Sequence, residues 1–172
     1  IKISKDKILY SSHHLSHCLY GSLYVKDFND YAFISCDGVG EGETMTIYTI
    51  DSKNLIKKHW TNFYPNSIGL FYSTITDFLG FDINEGEFKA MSLSSYGNPI
   101  YEKEMDKIFD CEQLKINSSY FEFHKNPERS FSEMLIEIFG EPYLNLNIKE
   151  NFQKYSNIAS SAQLILKKSV KN

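Results

Sequence analysis

Three of the chain's five histidines fall within the five residues His13-His14-Leu15-Ser16-His17. His13 and His17 are four apart, a spacing that on a helix sets two side chains on one face about 40° apart. Two imidazoles so placed can bind one metal ion. The spacing permits coordination without demanding it, because surface or capping histidines show it too. His14 points elsewhere. A carboxylate that supports the metal reading is Asp37, which ends an apolar run of buried character and opens Asp37-Gly38-Val39-Gly40-Glu41-Gly42. Glycines there let backbone N–H groups approach an anion, and the carboxylate can hold a cation. Read alone, the same residues make a tight turn with Asp in its first position. A third glycine-framed stretch runs from Gly86 to Gly97 and contains Glu87, Lys89 and Met91. Lys89 is suited to reach a phosphate or, like the other lysines here, to stay solvated.

Such a centre needs a helix for the imidazoles and a strand end for the carboxylate. Ser11 and Ser12 stand as N-cap candidates before Leu15, Leu19 and Leu23, whose spacing predicts a helix. Residues 31–36, 43–50 and 55–63 are β-rich runs separated by turn chemistry, which predicts a three-stranded antiparallel meander. Residues 7–10 read as a further strand. Asn66 or Ser67 caps a helix that closes at Gly80, and 86–97 reads as a short helix or loop. Beyond it come a helix over 101–110, a weak hairpin around Asn117 and Ser118, a helix over 130–140, a connection with Pro and Asn, and a terminal helix. The motifs divide the chain into a meander and metal-motif region, 1–97, and a mainly helical extension, 98–172.

Composition narrows the function classes. With 42% hydrophobic residues among 172, the chain can bury a core. Its net charge of -4, with lysines and acids mixed, offers no basic stripe, so polynucleotide binding is not expected. The apolar runs are too short and too polar to cross a bilayer and no secretory leader is visible, which predicts a cytoplasmic protein without a membrane partner. Cys18, Cys36 and Cys111 lack CxxC spacing and read as reduced, mostly buried thiols. His59 and His124 read as structural or solvated, without partners. The chain starts at Ile1 rather than Met and ends inside a helical pattern, so it reads as part of a longer protein.

The motifs His13-His14-Leu15-Ser16-His17-Cys18, Asp37-Gly38-Val39-Gly40-Glu41, 67–81 and 86–97, in that order, resemble the N-terminal domain of the O-carbamoyltransferases. Those enzymes carbamoylate nodulation factors and antibiotics of the cephamycin, novobiocin and tobramycin type. Residues 155–166 continue the pattern. More remotely, the chain is similar to the universal tRNA threonylcarbamoyl-transfer enzyme and the hydrogenase-maturation carbamoyltransferase. The resemblance implies an α/β fold, a fragment of a ribonuclease-H-like (actin-like ATPase) lobe with a three-stranded antiparallel meander and flanking helices. It implies His13, His17 and Asp37 as ligands of iron(II) or another divalent metal. Gly38, Gly40 and Glu41 then form the adjoining loop, with Glu87, Lys89 and Met91 near the nucleotide, as cofactor-binding residues. The implied reaction joins carbamoyl phosphate and ATP into carbamoyl adenylate, whose carbamoyl carbon is attacked by an acceptor hydroxyl. No catalytic residue is implied. The expected partners are carbamoyl phosphate, ATP and a hydroxyl-bearing acceptor, with a homodimer as a further expectation. Two departures from the pattern stand out: Leu93-Ser94-Ser95-Tyr96-Gly97 lies where relatives tend to carry Ala-Pro before the Tyr, and Cys18 where a small residue is usual. Half of the nucleotide cleft lies outside the chain, so the piece alone is expected to be inactive. The alternatives are a non-catalytic actin-like binding or scaffold domain, using the aromatic-rich surface or 120–133, and an actin-like kinase, which leaves the histidine pair unexplained.

Overall fold

The computed structural model describes residues 4–25, 31–126, 128–143 and 148–171. These belong to two compact units, Ile1–Tyr64 and Pro65–Asn172. The boundary at 97 drawn from the motifs falls inside the second unit. The fold is α/β.

Among the described residues, the first unit is a meander with a helix on it. Strands β1 (Tyr31–Gly40), β2 (Glu43–Ile50) and β3 (Ile56–Phe63) pair antiparallel in the order β1-β2-β3. Between β1 and β2, Glu41 and Gly42 both have positive φ, 53° and 88°, as a two-residue type I′ hairpin requires. Between β2 and β3, the Asp51 side chain accepts the N–H groups of Lys53 and Leu55, each at 2.9 Å, an Asx turn that needs no partner elsewhere. On β2, Thr44, Thr46, Tyr48 and Ile50 alternate onto one face and are buried. Helix α1 (His13–Ser22) packs there, and Cys18, Tyr48 and Ile50 make a small core with Leu15 and Phe33 against it.

On the other face of the sheet Met45 is buried, but much of the rest is exposed. Ile34, Ile47 and Trp60 form a cross-strand row, with Ile34 54% and Trp60 39% exposed. β1 is thus half-exposed, not the buried strand its apolar run suggests, and Cys36 is exposed while Cys18 and Cys111 are buried. The strand expected over 7–10 does not form: Lys5–Lys7 make a 3-10 turn, and 8–10 pair with no strand among the described residues. A lone extended segment without a ladder partner has nothing to satisfy its backbone.

In the second unit α2 (Ile68–Phe78) starts at Ser67, whose hydroxyl accepts the Leu70 N–H at 3.0 Å, and Gly80 ends the turn beyond it at φ +77°. Asn66, the other cap candidate, instead accepts the Ile116 N–H at 3.3 Å. Helices α3 (Glu87–Ser94), α4 (Glu102–Ile108), α5 (Glu133–Phe139) and α6 (Ile148–Lys171) follow, with a hairpin of β4 (Phe109–Asp110) and β5 (Lys115–Ile116) between α4 and α5. Phe71, Ile75, Phe78, Met105, Leu135 and Ile158 are among the buried side chains of one core. The hairpin turns at 111–114, not at Asn117 and Ser118 as expected. Asp110 Oδ1 accepts the N–H groups of Glu112 and Gln113, while Asn117 caps the 3-10 turn Ser118–Tyr120. Residues 144–147 of the expected connection lie outside the described residues. Among the described residues no helix is long and apolar enough to cross a membrane.

Candidate metal centre

Helix α1 delivers His13 and His17 from successive turns, and their Nε2 atoms lie 3.1 Å apart. Asp37 arrives from β1. Its Oδ2 stands 2.5 Å from His13 Nε2 and 3.4 Å from His17 Nε2. The carboxylate is brought in by an irregularity in the ladder. Cys36 pairs with Met45 and Gly40 with Glu43, so four steps along β1 span two along β2. The extra residues bulge and re-aim Asp37, a use of bulges that recurs beside functional sites.

One atom from each of the three side chains lies within 4.8 Å of the others, and each side chain is partly exposed. Ligands held about 2.0 to 2.2 Å from one ion stand roughly 3 to 3.5 Å from each other. Two sides of the triangle match that separation, and the His13–Asp37 side has the length of a hydrogen bond, with the imidazole N–H donating to the carboxylate. Two imidazoles and one carboxylate with an open side form the facial donor set that suits iron(II), and zinc takes the same ligand types. The residues fit a divalent metal.

The local charges hold Asp37 ionised. Partial burial pushes its carboxyl up, but the His13 hydrogen bond, the Gly38 N–H and the nearby His13 and His17 rings together set it below the usual carboxylate range. Gly38 donates to Oδ1 at 2.7 Å, which fixes the carboxylate and leaves Oδ2 facing the imidazoles.

Glu41 does something the sequence did not announce. Its Oε2 accepts the His13 backbone N–H at 3.1 Å. The expected cap, Ser12, makes no side-chain cap bond, so a carboxylate 28 residues away serves the first turn of α1 and complements its dipole. Gly40 has a steric role: a Cβ there meets the His13 ring.

His14 turns the other way, as expected. It is fully buried, with Nε2 3.1 Å from Glu43 O and Nδ1 3.2 Å from Thr46 Oγ1. Cys18 is packed, and burial pushes its thiol up, away from thiolate chemistry. His59, expected to lack a partner, stands 2.7 Å from Thr49 Oγ1.

With this geometry in place, comparison with known families decides the kinship. The model of the carbamoyltransferase N-terminus matches residues 1–171. The chain belongs to the carbamoyltransferase N-terminus family. It is similar to an uncharacterized protein of Synechocystis sp., 30% identical over 167 residues, which are 95% of this chain and 26% of that protein. It is also similar to an uncharacterized protein of Methanocaldococcus jannaschii, 41% identical over 90 residues, 52% of this chain and 17% of that protein. The chain thus spans about a quarter or less of the curated relatives it matches.

The carbamoyltransferase N-terminus carries its other candidate residues on α3, in the second unit. Glu87 is held: Oε1 accepts the Ser73 hydroxyl at 2.7 Å and the Asn84 N–H at 3.0 Å. Lys89 and Met91 are exposed, and the Lys89 ammonium lies 5.9 Å from the ring centre of Phe88, itself exposed. Gly97 makes a close approach that the sequence does not signal: a Cβ there would lie 2.0 Å from Ser156 O.

Proposed function

We propose that this carbamoyltransferase N-terminus supplies the metal centre of an O-carbamoyltransferase, with iron(II) or another divalent ion held by His13, His17 and Asp37. The observation that carries the reading is the convergence of two imidazole nitrogens and one ionised carboxylate on one open-sided point. The larger protein cleaves carbamoyl phosphate with water to carbamate and phosphate; a carbamate oxygen then bonds to the α-phosphorus of ATP as pyrophosphate leaves, giving carbamoyl adenylate, and a hydroxyl of a small-molecule or sugar acceptor receives the group. In that transfer the acceptor oxygen bonds to the carbamoyl carbon, the bond from that carbon to the adenylate oxygen breaks, and AMP leaves with the electron pair. The acceptor's proton is released. An ion held by His13, His17 and Asp37 would supply Lewis-acid chemistry, polarising a carbonyl or orienting a phosphate.

This chain's own residues have separable tasks in that scheme. Asp37 remains ionised and keeps Oδ2 aimed at the imidazoles, because Gly38 occupies Oδ1. Glu41 anchors the turn from which His13 projects. The exposed ammonium of Lys89 is the group on α3 suited to a phosphate, and Met91 and Phe88 offer apolar surface for a base. The first unit is read as part of a ribonuclease-H-like lobe.

The test is made on the intact protein. Supplied with iron(II), carbamoyl phosphate, ATP and a panel of hydroxyl acceptors, it forms AMP and a carbamoylated product. The variants His13→Ala and His17→Ala lose both metal and product. Full metal content in both variants would sink the reading.

A further inference from the structure

We infer that His14 is a positioning residue for the metal centre: its buried imidazole fixes helix α1 on the strand opposite the Asp37 bulge. The inference rests on the metal reading above. The three proposed ligands come from two elements that are not continuous, α1 and β1, so the separation between imidazoles and carboxylate depends on how α1 seats on the sheet. His14 is the side chain of the first turn that enters the sheet, and it is fully buried. Its two contacts fall on β2 at Glu43 and Thr46. β2 pairs with β1 through Gly40↔Glu43 on one side of the bulge and Cys36↔Met45 and Ser35↔Thr46 on the other. The imidazole therefore ties the helix to the stretch of strand that faces Asp37.

Its chemistry is directional. A backbone carbonyl only accepts, so the contact with Glu43 O requires the proton on Nε2, and Nδ1 is then left to accept the Thr46 hydroxyl. One ring orientation satisfies both. Burial of an imidazole strips water from two nitrogens, and the two bonds do little more than offset that loss. A leucine in the same space would pack at least as well, yet it would let α1 slide or rotate by fractions of an ångström without losing a bond. Direction, rather than stability, is what the histidine contributes.

The experiment separates positioning from packing. In the intact protein, affinity for Zn(II) is measured by chelator competition, and the ligand field of bound Co(II) by its visible absorption. The double variant His14→Leu with Thr46→Val replaces both side-chain partners by apolar groups; the Glu43 carbonyl loses its imidazole donor, so some loss of melting temperature is expected. The double variant is expected to weaken Zn(II) binding by about tenfold or more, as loss of outer support does at other metal sites, and to alter the Co(II) spectrum. His14→Gln, with an amide N–H for Glu43 O and an amide oxygen for Thr46, restores both. Cys18→Ala, on the buried face of the same helix, lowers the melting temperature and leaves affinity alone. Wild-type affinity and spectrum in the double variant overturn the inference and leave the metal reading standing. Failure of the wild-type protein to bind either ion overturns the metal reading and this inference with it.

Discussion

Gly40 lies under the His13 imidazole: a Cβ built on its α-carbon stands 2.0 Å from Cδ2 and 2.5 Å from Cγ of the ring. Ordinary contact between carbon atoms is about 3.5 to 4.0 Å. The end of β1 is therefore glycine for the sake of a side chain on another element, and the ring reaches Asp37 by lying across it.

Replacing Gly40 by Ala pushes the ring away. Because His13 is partly exposed, it can swing toward solvent, so the cost in folding stability is about 1 kcal/mol. The cost in metal retention is larger, about tenfold. Thermal denaturation and metal analysis of the same sample check both, and wild-type metal content would mean that the seat on Gly40 does not aim the ring.

Asp37→Asn keeps the size of the side chain and an oxygen for the Gly38 N–H, and removes the charge. All three side chains of the triad are partly exposed, so folding in the absence of metal changes by less than about 1 kcal/mol. Zinc or iron(II) affinity falls far more than stability does. Equal losses in the two measurements would show that the carboxylate serves the fold alone.

Glu41 combines a positive φ of 53° with the bond to the His13 N–H. Glu41→Ala loses the bond and keeps the backbone strain, and is expected to destabilise by about 1 kcal/mol. Glu41→Gly loses the same bond but relieves the strain, and should be the more stable of the two by about 1 kcal/mol or more. Chemical denaturation ranks them, and an alanine variant as stable as the glycine one would contradict the strain.

At Glu87, burial pushes the carboxyl up, but the Ser73 hydroxyl and the N–H groups of Asn84, Glu87 and Gly86 outweigh it and hold the group below its usual range. The folded protein thus binds this proton less readily than the unfolded chain. The resulting stabilisation is present above the unfolded value of about 4.3 and is lost as pH falls through the lower folded one. Glu87→Gln is expected to cost about 1 to 2 kcal/mol at neutral pH and to flatten the acid limb of the stability curve. A variant whose stability falls with acid as steeply as the wild type would refute this.

Much of this was legible in the sequence where the signal was local. The i, i+4 imidazoles, a cap at Asn66 or Ser67 and the turn residues between strands each act over a few positions, and each element formed where its pattern lies. What was hidden depends on distant partners. No spacing rule links Glu41 to the first turn of α1, and the bulge that turns Asp37 inward exists only relative to the register of β2. The apolar run of β1 looked buried because alternation reports which residues share a face and not whether both faces are covered. The segment 7–10 has strand-like residues, but a strand is made by its neighbour. The hairpin was misplaced because Asp110 and a positive φ at Leu114 turn the chain before Asn117 is reached.

Among the described residues the core at α1 is small, three buried side chains with two partly buried neighbours. Little apolar area then opposes lifting the helix from the sheet, and such elements open locally at a free energy well below that of global unfolding. An ion gripping His13, His17 and Asp37 would act as a clasp between helix and strand, adding to the opening energy in proportion to the logarithm of its concentration. Hydrogen exchange at the α1 amides thereby becomes a gauge of occupancy, slowing when the clasp is closed while the exchange of β2 amides stays comparatively steady.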